Sequence, residues 1–146
     1  MVRDGFLKSA LIFLGIRAAF CFNQTMPKLR LQALAQGEVQ RALGKLPPDV
    51  RGAAKECAVH FEEMAALDEP DLDEDTLGLF EGNNRLDPPP SEPAEMPRIR
   101  LFMDNLWDFA EGDDEFFRDE VRITFLHELG HYLGWDEAKI EEMGLA

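Results

Sequence analysis

Positive charge is scarce in this chain: fifteen Lys and Arg stand against twenty-nine Asp and Glu, a formal net charge of −14. That balance excludes a general nucleic-acid binder, because phosphate contacts need a basic footprint and the long-range field repels polyanions. An anionic membrane surface is an equally poor partner. Cysteine is scarce too, and Cys21 and Cys57, thirty-six positions apart, cannot make a disulfide framework. Long hydrophobic runs are absent. The longest apolar stretch of the N-terminal region, Ser9 to Ile16, has eight residues, against the roughly 20 that a membrane-spanning helix needs. What remains is a soluble-type composition, 45% hydrophobic and 30% charged over 146 residues. A chain of that size buries a core without staples.

The charge is divided unevenly. Residues 1–56 carry nine basic and four acidic side chains, whereas residues 57–146 carry six basic and twenty-five acidic. A cation approaching the second part meets a favourable field and an anion a hostile one. Residues 1–25 read as an extension ahead of a translation start at Met26, and 26–146 as the domain proper. A weak export signal, with Arg3 and Lys8 before the apolar stretch and Ala18-Ala19 after it, is the alternative reading. An extra packed helix is a third. The first reading makes the protein cytoplasmic and the second exported.

Leu29, Leu31, Leu34, Ala35, Val39, Ala42 and Leu43 recur at helical spacing, and Gly44 with Pro47-Pro48 stops the pattern. Cys57 to Met64 alternates in part and reads as a strand. The acidic stretch 65–75 is a solvated loop. Thr76 to Phe80 is a short strand closed by Glu81-Gly82-Asn83-Asn84. Pro88 to Pro90 stiffen an exposed loop over 86–97, and Arg98 to Met103 alternates cleanly as a strand. A long helix follows from an Asp cap near Gly112-Asp113-Asp114. It carries the stripe Phe117, Val121, Phe125, Leu129 and Leu133, and Gly134 ends it. Asp136 to Met143 makes a short last helix. Helix, strands, then helices is the order of an α+β fold.

Two of the three histidines fall in the window His127-Glu128-Leu129-Gly130-His131-Tyr132-Leu133-Gly134-Trp135-Asp136-Glu137. On a helix His127 and His131 are one turn apart, so both imidazoles reach one metal ion. Their mean direction lies roughly 140° around from the apolar stripe, which takes them out of the core packing. Glu128 lies between the two directions, placed to touch an activated water without being a ligand. That is the arrangement of a zinc hydrolase with Glu128 as general base. Gly134 reverses the chain and returns Glu137 to the same place, completing HExxHxxGxxE, a metzincin-like spacing with a carboxylate in third position. Asp136 competes with Glu137 as third ligand, its other role being the cap of the last helix. Tyr132, the lone tyrosine, sits one turn from Glu128 and is read as core, with oxyanion support as its alternative. His60 and Cys57 are read as structural, and the acidic run from Glu62 to Asp75 as surface rather than a calcium loop.

Four pieces together resemble the small bacterial zincin-like metallopeptidases, a minimal-zincin family first catalogued as a domain of unknown function. They are Leu46-Pro47, Leu77 to Gly82, Pro97 to Phe102, and Val121 to Glu137. The resemblance spans roughly residues 38–143. It implies a minimal zincin-like fold, a small mixed sheet with a backing helix and a metal-bearing active-site helix. It further implies Zn2+ held by His127 and His131, Glu128 as catalytic acid–base, and a third ligand near the turn. Relatives commonly carry Asp in that third position, so Glu137 is a departure. Met143 follows Glu137 too closely to be the methionine turn of metzincins. With no second lobe expected, one wall of a substrate cleft is either missing or supplied by the loops, and the strand Leu77–Phe80, if at the sheet edge, can pair with an extended peptide.

The expectation is therefore a monomeric zinc metallopeptidase acting on a peptide or protein substrate. The alternative is a non-catalytic zinc-binding module that recognises a peptide or protein partner. Glu128 separates the two, because a purely structural site has no use for a free carboxylate beside the metal.

Overall fold

The structure is a computed structural model and describes residues 25–63, 69 and 72–145, with side chains from Lys28 onward. Residues 1–24, part of the acidic loop and Ala146 lie outside the described residues, and with them the N-terminal readings above. Residues from Leu31 onward form one compact unit, and the helix that starts at Thr25 leads into it.

Helix α1, Thr25–Lys45, turns Leu31, Ala35, Val39 and Ala42 into the core at intervals of three and four residues. Leu29, grouped with them by periodicity, is exposed. A second helix, α2, Pro48–Ala54, follows where the proline pair was expected to leave only a break. Pro48 stands in its first turn, where the missing N–H has no intrahelical partner to lose. Strand β1 is Ala58–Glu62, β2 is Gly78–Glu81 and β3 is Arg98–Phe102, with a short 3₁₀ turn at Pro93–Glu95 before β3. The order in the sheet is β1-β3-β2, β3 running parallel to β1 and antiparallel to β2. Chain order alone did not reveal that the last strand lies in the middle.

The two faces of this sheet differ. Val59, Phe61, Phe80, Ile99 and Leu101 join the hydrophobic core with α1 and the long helix. The opposite face carries Arg100, whose side chain is only 10% exposed and lies among Glu62, Glu69 and Glu81 at 2.7–3.1 Å. Its guanidinium also stacks over the Phe102 ring, 5.2 Å from the centroid. Those carboxylates hold Arg100 protonated far beyond the ordinary guanidinium range, and Glu81 is pulled below its usual value by Arg100 and Arg98 despite its burial. The acidic stretch is thus not wholly solvated, since Glu62 and Glu69 close this cage.

β3 runs without a loop into α3, Met103–Phe109. The strand expected to reach Met103 ends one residue earlier because the helix starts there. Helix α4, Asp114–Tyr132, packs on β2 and β3. Phe117, Val121, Phe125 and Leu129 are at most 1% exposed, as their spacing predicts, while Leu133 is only half-buried. The last helix is α5, Glu137–Glu142. No helix among the described residues is long and apolar enough to cross a membrane. The result is a mixed α+β fold with a small three-stranded sheet.

Candidate metal centre

The site is built on the last turns of α4 and the first residue of α5. Asp113 starts α4, its carboxylate accepting the N–H groups of Glu115 and Phe116 at 2.9 and 3.0 Å. The helix ends in a Schellman motif: Trp135 N–H donates to Gly130 O and Gly134 N–H to His131 O, both at 3.0 Å. Gly134 takes φ = 81° there, and the Leu86 side chain packs so closely over it that a Cβ would collide. The reversal delivers Asp136 as the cap of α5, its Oδ1 accepting Lys139 N–H at 2.8 Å. Glu137 is the next residue. Ile140, fully buried, anchors α5 against Gly130, where a Cβ would stand 2.5 Å from Ile140 Cγ1. A small residue at 130 is thus what lets α5 come close enough to present Glu137.

The structure brings His127, His131 and Glu137 together. The two Nε2 atoms are 3.2 Å apart, and Glu137 Oε1 lies 3.2 Å from His127 Nε2 and 3.1 Å from His131 Nε2. Three donors at nearly equal separations outline one face of a coordination tetrahedron. Metal–donor bonds of about 2.0–2.1 Å make tetrahedral edges of about 3.3 Å, so two imidazoles and a carboxylate oxygen in this triangle fit zinc. The fourth corner is not supplied by this cluster, the one group of three such side chains found among the described residues. Asp136 is outside it, occupied as a cap.

Glu128 stands beside the triangle, not in it. Burial is the largest influence on its carboxyl and raises its pKa above the ordinary value, against the opposing pull of His131, the Phe80 N–H and His127. Its Oε2 accepts the main-chain N–H of Phe80 at 2.9 Å. With His131, Gly134 and Trp135 it lines a cavity of about 560 Å³. Leu79, Phe80, Asn84 and Asp136 complete the wall, so the outer strand and the loop after it close the side opposite α4.

A family model described as zincin-like metallopeptidase matches residues 54–145. The chain belongs to that family. No curated protein sequence matches it. Membership of the zincin-like metallopeptidases implies a metal, typically zinc, and the His/His/Glu cluster is where this member can hold one.

The other residues singled out from the sequence lie apart. Tyr132 is 4% exposed, its ring 5.8 Å from that of Phe80, and its hydroxyl meets Glu56. Desolvation and then Glu56 push its pKa up. It belongs to the core, not the cavity wall. His60 is exposed on β1 opposite Arg100. Cys57 is buried, and desolvation pushes its thiol up to about 12, leaving it protonated and unreactive. What sequence reasoning missed is the Phe80 N–H. A backbone donor has no residue identity to read, and the one available signal was the placement of a strand edge at Leu77–Phe80.

Proposed function

We propose that this protein is a zinc-dependent peptidase, with His127, His131 and Glu137 as metal ligands and Glu128 as general base. The observation that carries the reading is the 3.1–3.2 Å triangle of two Nε2 atoms and one carboxylate oxygen, next to a second carboxylate left out of it. Bound zinc supplies Lewis-acid polarisation of a carbonyl and lowers the pKa of water to roughly 7. The chain's own residues do the rest. Glu128, half-buried and of raised pKa, takes a proton from the attacking water and hands it to the leaving amine. Leu79 and Phe80 on one side and Trp135 on the other confine the scissile segment in the cavity. A peptide lying along β2 adds as a further strand, because β2 is the outermost strand on that side.

A closed structural zinc site uses four protein ligands, and three donors with a free glutamate favour hydrolysis over a purely binding role. The excess of acidic groups makes basic or neutral peptides easier to admit than acidic ones. The test is metal content by mass spectrometry on protein purified without a metal-binding tag, followed by a peptide-library assay. One zinc per chain is expected in the wild type and none in His131→Ala. Glu128→Gln is expected to keep the zinc and to lose about 10²–10⁴-fold in kcat. Absence of zinc after reconstitution at neutral pH overturns the reading. Zinc bound without hydrolysis of any library peptide points instead to the binding module.

A further inference from the structure

The outward edge of β2 is decided by register. Residues of an antiparallel pair alternate between those that exchange hydrogen bonds and those that do not. Phe102 N–H donates to Leu77 O at 3.0 Å, and that sets the phase. Leu79, opposite Arg100, therefore bonds inward to β3. Gly78 and Phe80, opposite Leu101 and Ile99, turn their N–H and C=O groups outward. An outward amide on an edge strand is a vacant donor that ordinarily meets water or another strand. At Phe80 that donor is already engaged, by Glu128 Oε2 at 2.9 Å across 48 positions of sequence. The Phe80 ring is held separately, half-buried against Tyr132 and the core, so its N–H has a fixed direction.

From this geometry we infer that the main-chain N–H of Phe80 is a positioning group for Glu128, holding one carboxylate oxygen at the strand edge so that the other is the proton-accepting atom. The inference rests on the peptidase reading above. A glutamate side chain turns about three torsions, and in an open cavity of about 560 Å³ an untethered carboxylate spreads over several rotamers. A base that must meet a water in one geometry loses rate in proportion to the time spent elsewhere. Anchoring one oxygen to a strand removes most of that freedom. The tether also shapes how a peptide docks. It can exchange a full pair of hydrogen bonds with Gly78, but opposite Phe80 it finds only the C=O to receive its own N–H.

The test removes the donor, and its one side effect is a weaker acceptor at the Leu79 carbonyl, which faces β3. In the full-length zinc-loaded protein, Phe80→phenyllactic acid, introduced as a main-chain ester, keeps the ring and deletes the N–H. The expected result is a fall in kcat of about 10- to 100-fold, with KM and zinc stoichiometry within about twofold of the unmodified chain. An unchanged kcat, or a loss carried by KM, overturns the inference while the peptidase reading stands. No hydrolysis by the unmodified chain overturns both. Should the ester chain fail to fold, amide NMR spectra of the zinc-loaded protein decide. The Phe80 amide signal is expected to move in Glu128→Ala and to stay near its place in Glu128→Gln, whose side-chain oxygen still accepts. A Phe80 signal that does not move in Glu128→Ala overturns the inference.

Discussion

Helix α4 presents two stripes made by different rules. Phe117, Val121, Phe125 and Leu129 are sealed to within 1% of full burial. His127 and His131, on the other flank, keep 30% and 34% of their side-chain surface. The first stripe is interchangeable in detail but not in bulk, since cores answer to volume. The second answers to atom positions, its two Nε2 atoms standing 3.2 Å apart. One helix thus fixes the fold with one side and aims donors with the other, and damage to either side should leave the other largely intact.

The largest expected effect falls on the first stripe. Phe125→Ala should cost about 3–5 kcal/mol of unfolding free energy by denaturant titration, through the cavity it leaves. Where the variant remains folded, its zinc affinity should change by less than about tenfold. Coupled loss of both would merge the two stripes into one device. Gly130→Ala lies between them and should break their separation. Its methyl meets Ile140, so overpacking of about 1–3 kcal/mol opposes a gain of about 1 kcal/mol in helix propensity. The displaced α5 carries Glu137 away from the histidines, and zinc affinity should fall more steeply than stability. Equal zinc affinity in this variant would show that α5 yields without moving Glu137.

His131→Ala should do the reverse of Phe125→Ala: zinc is lost, yet metal-free stability changes by less than about 1 kcal/mol, because the side chain is one-third exposed. The smallest effect on stability belongs to Glu128→Gln. Glu128 has a raised pKa in the fold, so its proton stabilises the native state below the ordinary carboxylate range. That contribution drains away as pH rises through the raised value. At neutral pH the ionised carboxylate is therefore a cost in the metal-free protein. Glu128→Gln should be more stable there, and the advantage should vanish below about pH 4.5, the unperturbed value. Thermal melts across pH measure it.

The two stripes were also unequally legible from other parts of the molecule. Both could be read from sequence, because a four-residue interval on a helix fixes direction with no tertiary information. Glu137 followed from Gly134, whose left-handed φ is a local requirement of the helix end. The misses came where local signals conflict or fall silent. Pro47-Pro48 stops one helix and starts another with the same residues. The helix Met103–Phe109 begins directly on a strand, with no side-chain hydrogen bond from its cap residue Phe102, and seven residues are too few to show a period. Strand order depends on a parallel pairing between β1 and β3 over 40 positions of sequence, which no short window contains. The contact between Phe80 and Glu128 depends on that order in turn.

The span of sequence over which the site is assembled has a consequence for how it forms. The triangle of donors is drawn from eleven consecutive residues, His127 to Glu137. Bridging them closes loops so short that an ion removes little disorder from the unfolded chain. The metal half of the site is thus a product of one helix and one turn, ready as soon as α4 and α5 meet. The bond from Phe80 to Glu128 closes a loop of 48 positions and must wait for the three strands to register. Nonlocal closures of that kind are made late and undone early. In partial unfolding the chain should therefore still grip an ion after Glu128 has lost its seat, and metal retention alone is a poor witness to the proposed activity.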